Sequence, residues 1–292
     1  MSKSTHYSKR IFHIFLLTVF SIMAIIYILP LVITFTNSLM SMNEVSRHYS
    51  TIGDIFHPEG KFVDMAIIPE KITLSQYIHI LLESPVYLNM FWNSVKIAVP
   101  IVVGQLFVSS MAAYAFTILQ FKGKELLFFI YIIVMLLPLQ VTLMPNYIVF
   151  DWLNMTDSYL AIILPGISNP FGVFLLRQFM KMIPSAYIES AQMDGAGHIR
   201  IFFSIVLPMI KSGLASVAML TFVDYWNVVD QAVIFIQDTY AKPMSLFLAR
   251  VNQEQMGVSF ASSCFYIFPV LIILFYGQEY LKEGINLSGL KG

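Results

Sequence analysis

The chain has 292 residues, of which 58% are hydrophobic and only 12% are charged, against about 25% charged residues in an ordinary soluble domain. Seventeen basic and seventeen acidic side chains leave no formal net charge, which excludes the basic surface that nucleic acid would require and makes membrane lipid the better partner. The single cysteine, Cys264, has nothing to pair with inside the chain, so neither a disulfide framework nor a cysteine-rich zinc site is available. A small buried hydrophobe is the plain reading of it.

Lys3, Lys9 and Arg10 precede an apolar run from Ile11 to Phe35. A secretory signal core has about 7 to 15 apolar residues and ends in small ones. This run is longer and lacks that ending, so it reads as a first membrane helix with its basic flank inside. A bilayer core about 30 Å thick takes roughly 20 apolar residues of helix. Six segments qualify, at 11–36, 91–119, 125–150, 158–179, 203–229 and 259–281. Pro30, Pro100, Pro138, Pro145, Pro165, Pro208 and Pro269 interrupt them and predict kinks inside a packed bundle. The expected fold is therefore an all-α integral membrane protein, with a transmembrane domain over 11–281 between short flanks at 1–10 and 282–292.

The long connection at 37–90 mixes Gly53, Pro58, Gly60 and Pro69 with an amphipathic stretch, Leu74 to Leu82, in which Tyr77, Ile78, Leu81 and Leu82 recur at helical spacing. Lys122 and Lys124 follow the second span, Asp151 and Asp157 the third, and Arg177, Lys181 and Arg200 the fourth. That alternation puts both termini in the cytoplasm, and Lys282 and Lys291 agree. Near the outer end of the fifth span, Asp224 and Asp230 bracket Trp226 and Asn227. Ionisable groups at membrane depth suggest function, and an aromatic ring among polar neighbours suits a sugar on the solute path. An interfacial Trp with snorkelling carboxylates is the competing reading.

The cytoplasmic connection at 183–208 carries the most information. Pro184 suits the first turn of a helix, and Gly195 suits the residue just past its end, where the backbone turns left-handed. Beyond Gly197, residues Ile199, Phe202, Phe203 and Val206 fall at helical spacing. The segment is expected to form a helix, a tight turn and a second helix leading into the membrane.

Glu189, Ala191, Asp194, Gly195 and Ala196, followed by Phe202, Ile205, Leu207 and Pro208, resemble the cytoplasmic Glu-Ala-Ala-x-x-Asp-Gly-Ala loop of the permease subunits of binding-protein-dependent ABC importers, with Ser190 in place of the first alanine. The run Phe174 to Phe179 with Ile183-Pro184, the Trp226-Asn227 pair, and the ending Gln278-x-Tyr280-Leu281-x-Glu283-Gly284 are similar to the carbohydrate-transporting, maltose-type branch; the tail departs from it at Ser288 and Gly289. The resemblance implies a type I importer permease fold in a bacterial-type plasma membrane. It also implies a second permease subunit as heterodimer partner, two copies of a cytoplasmic ATPase that bind ATP and Mg, and an extracellular solute-binding protein. In such importers Glu189, Ser190, Ala191, Asp194, Gly195 and Ala196 would lie in the coupling helix that docks in a cleft of the ATPase, and the permease itself would bind no cofactor.

Other chemistry fits poorly. The chain has no Gly-x-x-x-x-Gly-Lys-Ser/Thr phosphate loop, since Gly123-Lys124 is followed by Glu125. Glu189 and Asp194 would lie about 140° apart around one helix, with no His or Ser to complete a catalytic site. The six histidines share no metal-ligand spacing. The remaining alternative is a secondary transporter or channel working without ATP, which would have no use for the Glu189 to Pro208 segment.

Overall fold

The computed structural model describes residues 2–49, 66–250 and 255–289, with side chains at 12–49, 66–250 and 255–280. Gly53, Pro58, Gly60 and Lys291 lie outside the described residues. Among those described, every regular element is helical. The helices are α1 (Ser2–Ser38), α2 (Met42–Tyr49), α3 (Ser75–Ile78), α4 (Pro85–Thr117), α5 (Lys124–Met135), α6 (Leu139–Trp152), α7 (Leu160–Ile167) and α8 (Pro170–Met180), followed by α9 (Ser185–Met193), α10 (His198–Ile201), α11 (Leu207–Met209), α12 (Lys211–Trp226), α13 (Asp230–Phe235), α14 (Met244–Leu248) and α15 (Met256–Gly289).

Four stretches are long and apolar enough to cross a membrane: Phe12–Ser38, Pro85–Thr117, Leu160–Met180 and Met256–Tyr280. Two more qualify only as bent pairs, α5 with α6 at 102° and His198–Met209 with α12 at 76°, which makes six spans when each pair counts as one. A proline lies near each bend. Pro138, itself extended (φ −65°, ψ 142°), stands at the first, where its ring disfavours helical geometry in the residue before it and its nitrogen offers no donor. Pro208 lies two residues before Ile210 (φ −103°, ψ 21°), where the second bend falls. Pro30, Pro100, Pro145, Pro165 and Pro269 stay inside helices.

The chain divides into two compact units. The first comprises Met1–Leu88 and Arg250–Ile267. In it Met40, Val45 and Tyr49 form a small core with Ala66, Met256 and Phe260. Buried Glu44 accepts a hydrogen bond from the Glu70 amide at 2.6 Å, Asn37 donates to the Tyr49 hydroxyl, and the Thr73 amide donates to the Leu39 carbonyl at 2.8 Å. The segment 37–49 is thus a built element within the long connection at 37–90. Exposed Arg47 pairs with Glu70 at 2.9 Å and holds that carboxyl below the usual carboxylate range. The Leu74 to Leu82 stretch buries Gln76 and Ile80, while Ile78, Leu81 and Leu82 are exposed. A π-helical turn over His79–Glu83 widens the helix and rotates the expected face out of register.

The second unit comprises Asn89–Ala249 and Phe268–Gly292. Helix α8 packs against both α5 and α12, and α13 against α6 and α7. Thr221 on α12 donates to Gln105 Oε1 on α4 at 2.7 Å, both side chains buried, the kind of polar bond that joins helices where apolar contacts alone cannot choose a partner. Gly172 lets α8 approach α4, since a Cβ there would meet Ser109 Oγ at 2.5 Å. The segment after α12 is tied down by polar bonds. Asn93 donates to the Tyr240 carbonyl at 2.7 Å, Tyr159 to the Ala241 carbonyl at 2.9 Å and Ser245 to the Val228 carbonyl at 2.6 Å. Asp157 accepts from the Gln237 and Asp238 amides at 2.8 and 3.0 Å, and those two donors hold its carboxyl below the ordinary range.

Candidate functional site

Helix α9 occupies the position that its punctuation predicts. Pro184 precedes it as the N-cap (φ −59°, ψ 133°), one place before the first turn where the spacing put it. At the other end Gly195 has φ 79°. The Ala196 amide donates to the Ala191 carbonyl at 2.9 Å and the Gly195 amide to Gln192 at 3.0 Å, the paired bonds of a Schellman closure. Ile188 is buried, with Ala191 and Ala196 packed beside it, in a cluster that includes Ala113, Tyr114, Leu176, Phe179 and Phe202. That packing stabilises a helix too short to persist alone.

The opposite side of α9 is open. Tyr187 is 56% exposed and Met193 83% exposed, and Glu189, Ser190 and Asp194 are exposed as well. Ser190 points away from the cluster, so serine there costs only the small loss of helix propensity relative to alanine, about 0.5 kcal/mol. Glu189 forms no ion pair among the described residues; it lines a cavity of about 460 Å³ together with Lys181, Ser185, Gln192 and Gln120.

The helix after the turn departs from its expected face. Phe202 and Val206 are buried as anticipated, but Ile199 and Phe203 are 77% and 56% exposed, and Ile201 and Ile210 are buried instead. A π-helical turn over Phe202–Val206 takes more residues per turn than an α-helix, so the buried set falls on 201, 202, 206 and 210. Tyr114 on α4 lies 3.1 Å from His198 Nδ1 and meets Phe202 edge-on at 5.3 Å.

A second cavity, of about 330 Å³, is lined by Leu139, Asn169, Asp224, Asn227, Asp230 and Gln231 among others. Asp224 and Asn227 thus reach an open wall. Trp226 does not. It is 1% exposed, stacked on Phe222 at 5.0 Å and edge-on to Phe91 at 5.4 Å. Its ring has no free face for a sugar, and the same burial removes the ring from an interfacial role, while Asp224 and Asp230 are exposed.

The profile of a family described as binding-protein-dependent transport system inner membrane component matches residues 88–285. The chain belongs to this family. It is 31% identical to the arabinooligosaccharides transport system permease protein AraQ of Halalkalibacterium halodurans, over 95% of this chain and 96% of the relative. It is 29% identical to the galactooligosaccharides transport system permease protein GanQ of Bacillus subtilis, over 83% and 88%. A chain from a bacterial ABC transporter involved in the import of the acidic polysaccharide alginate superposes with a TM-score of 0.79, over 94% of this chain and 97% of that one, at 23% identity, which shows the fold. The protein is therefore an ABC importer permease subunit of the inner membrane, and the ATP-independent alternative gains no support.

One side chain of this permease stands out although the sequence used it only for charge counting and motif matching. Arg177, in the last turn of α8, is 4% exposed. Its Nε donates to the Phe116 carbonyl at 3.1 Å, and a terminal nitrogen lies 3.2 Å from Glu125 Oε1. Its guanidinium carbon sits 3.7 Å from the Phe128 ring centroid. Lys124 donates to the Thr117 and Leu119 carbonyls, each at 2.9 Å. Carbonyls of the last helical turn have no partner within the helix, so these two cations cap α4 from other elements. The signal was available: an arginine inside an apolar run at membrane depth asks for a partner. Asn169 and Gln231 gave no such signal, because uncharged amides are common in connections between helices.

Proposed function

We propose that this permease carries a sugar or oligosaccharide inward, delivered by an extracellular binding protein, and that ATP bound with Mg and hydrolysed on a separate ATPase drives it through α9. The observation that carries the coupling assignment is a helix anchored on one side by Ile188, Ala191 and Ala196 and open on the other at Tyr187, Glu189 and Met193. Such a face offers apolar area and a carboxylate together, which suits a protein socket better than water. The relatives named for arabinooligosaccharides and galactooligosaccharides support the solute class.

On this reading Glu189, Ser190, Ala191, Asp194, Gly195 and Ala196 form the contact and its scaffold, and Asp224 and Asn227 lie on the solute path. A second, different permease subunit completes the pathway, and two ATPase copies serve the pair. Residues 1–10 and 282–292 face the cytoplasm, on either side of the transmembrane domain at 11–281. Glu189 pairs with a basic residue of the ATPase, and truncating one partner of a shielded pair costs about 2 to 5 kcal/mol. Glu189→Ala is expected to leave the permease inserted, cut solute uptake sharply and weaken ATPase co-purification, with partial recovery on swapping charges with the facing ATPase residue. Wild-type uptake and co-purification at equal permease levels would defeat the assignment.

A further inference from the structure

The segment from Pro184 to Met209 meets the rest of its unit mainly through apolar contact. Ile188, Phe202 and Val206 enter one buried cluster with Tyr114 of α4 and Phe179 of α8. Hydrophobic burial is non-directional, so it holds the segment against the bundle without choosing its rotation. One directional bond does choose. The Tyr114 hydroxyl lies 3.1 Å from His198 Nδ1, and among the described residues no other side-chain hydrogen bond joins 184–209 to another helix. Tyr114 is 6% exposed and sets its ring edge-on to Phe202 at 5.3 Å and to His198 at 6.2 Å. Its body is thus packed in the cluster, while its polar tip reaches the residue that opens the helix after the turn at Gly195. A phenol both donates and accepts, so the bond forms with either tautomer of the imidazole.

Two bonds to α4 bracket the bend at Ile210. His198–Met209 meets α12 at 76°. Before the bend His198 is held by Tyr114, and beyond it Thr221 on α12 donates to Gln105 at 2.7 Å. Gln105 and Tyr114 are nine residues apart on α4, about 14 Å along its axis. Helix α4 runs unbroken from Pro85 to Thr117 in spite of Pro100, so it crosses the bend as a strut. With both bonds made, α4 sets the angle between His198–Met209 and α12. With the Tyr114 bond open, the two arms are free to flex about Ile210, whose backbone is already off the helical values (φ −103°, ψ 21°).

We infer that Tyr114 and His198 are positioning residues for transport coupling: their bond makes the segment after α9, the bend and α4 move as one body, so that displacement of α9 reaches the membrane helices instead of being absorbed at Ile210. The inference rests on the reading of α9 as the ATPase contact and adds the link by which that contact is felt inside this chain. Neither residue touches solute or nucleotide in this role. Tyr114 is buried beneath the segment and acts through the arm that His198 opens.

The test uses the whole complex, with partner permease, ATPase and binding protein, in proteoliposomes, and the probe is Mg with a non-hydrolysable ATP analogue. The readout is the rate of thiol labelling at Asn227→Cys, beyond the bend, in a Cys264→Ser permease, with Val229→Cys as the reporter if the first does not assemble. The analogue is expected to change that rate at least about tenfold in the parent, within the usual range of coupling between sites. Tyr114→Phe keeps the ring and removes the hydroxyl. It should retain the ATPase and cut the response to about threefold or less, a loss of the size that one net hydrogen bond supports. His198→Leu should do the same, or His198→Ala if that variant does not assemble, whereas His198→Asn, whose amide stands where Nδ1 does, should restore the parent response. The double variant Tyr114→Phe/His198→Leu should lose no more than either single one, because partners in one bond are not additive. A parent-sized response in Tyr114→Phe, additive losses, a His198→Asn response as poor as that of His198→Leu, or loss of the ATPase from Tyr114→Phe overturns the link and leaves the coupling reading standing. No response in the parent, with the ATPase bound, overturns the coupling reading and the link with it.

Discussion

Gly195 shows how one backbone angle sets the geometry of the turn after α9. At φ 79° a Cβ would meet nothing within 4 Å, so any penalty for a side chain comes from the backbone and not from crowding. Left-handed geometry at a β-branched residue costs about 1 to 3 kcal/mol, whereas asparagine tolerates it. Gly195→Val should therefore open the bonds from Ala196 and Gly195 to Ala191 and Gln192, and lower uptake and transport-coupled ATP hydrolysis more than it lowers expression. Gly195→Asn should keep most of both. Equal activity in the two variants would mean that the closure of α9 is dispensable. The neighbouring Glu189 differs in kind: nothing inside the described residues pairs with it, so its contribution depends on what meets it from outside.

At the scale of elements, the cap on α4 connects three helices. Arg177 on α8 reaches the Phe116 carbonyl at the end of α4 and Glu125 at the start of α5. Phe116, Phe128 and Val173 form the apolar cluster around it. The ion pair by itself is worth little, because the Glu125 side chain is 77% exposed and water screens it. The buried carbonyl matters more. Leaving such an acceptor without a donor costs about 1 to 3 kcal/mol, so Arg177→Met should lower the melting temperature of the purified complex, while Glu125→Gln should barely move it. A larger loss in Glu125→Gln than in Arg177→Met would show that the charge pair, and not the cap, holds these helices together. Helix α9 follows α8 after a short turn, so loosening α8 should also reduce coupling.

For the whole molecule, the expectation that remains to be measured is orientation. The alternation of basic residues puts α9 and both termini on one side and the 37–49 segment on the other. Ser46 and Ser185 are both exposed, which makes them suitable reporters. Cysteines placed there in a Cys264→Ser background should react with an impermeant reagent from opposite sides: Ser46→Cys in intact cells, and Ser185→Cys only after the membrane is opened. Labelling of both in intact cells would contradict the six-span arrangement.

The sequence by itself determined the class of the molecule and the local form of the segment at 183–208. Length of apolar run, proline position and charge alternation act within a few neighbouring residues, and so do the cap at Pro184 and the closure at Gly195. Side-chain facing was decided by tertiary structure. The π-helical turns at 79–83 and 202–206 shifted which residues were buried, and packing against Phe91 and Phe222 buried the Trp226 ring. The partners of Arg177, 52 and 61 residues away along the chain, and the meeting of Asn169 with Asp224 and Gln231 at one cavity came from the folded bundle alone. A membrane helix that is apolar on most sides carries little periodic signal about which side meets its neighbours, so only the packed structure could choose.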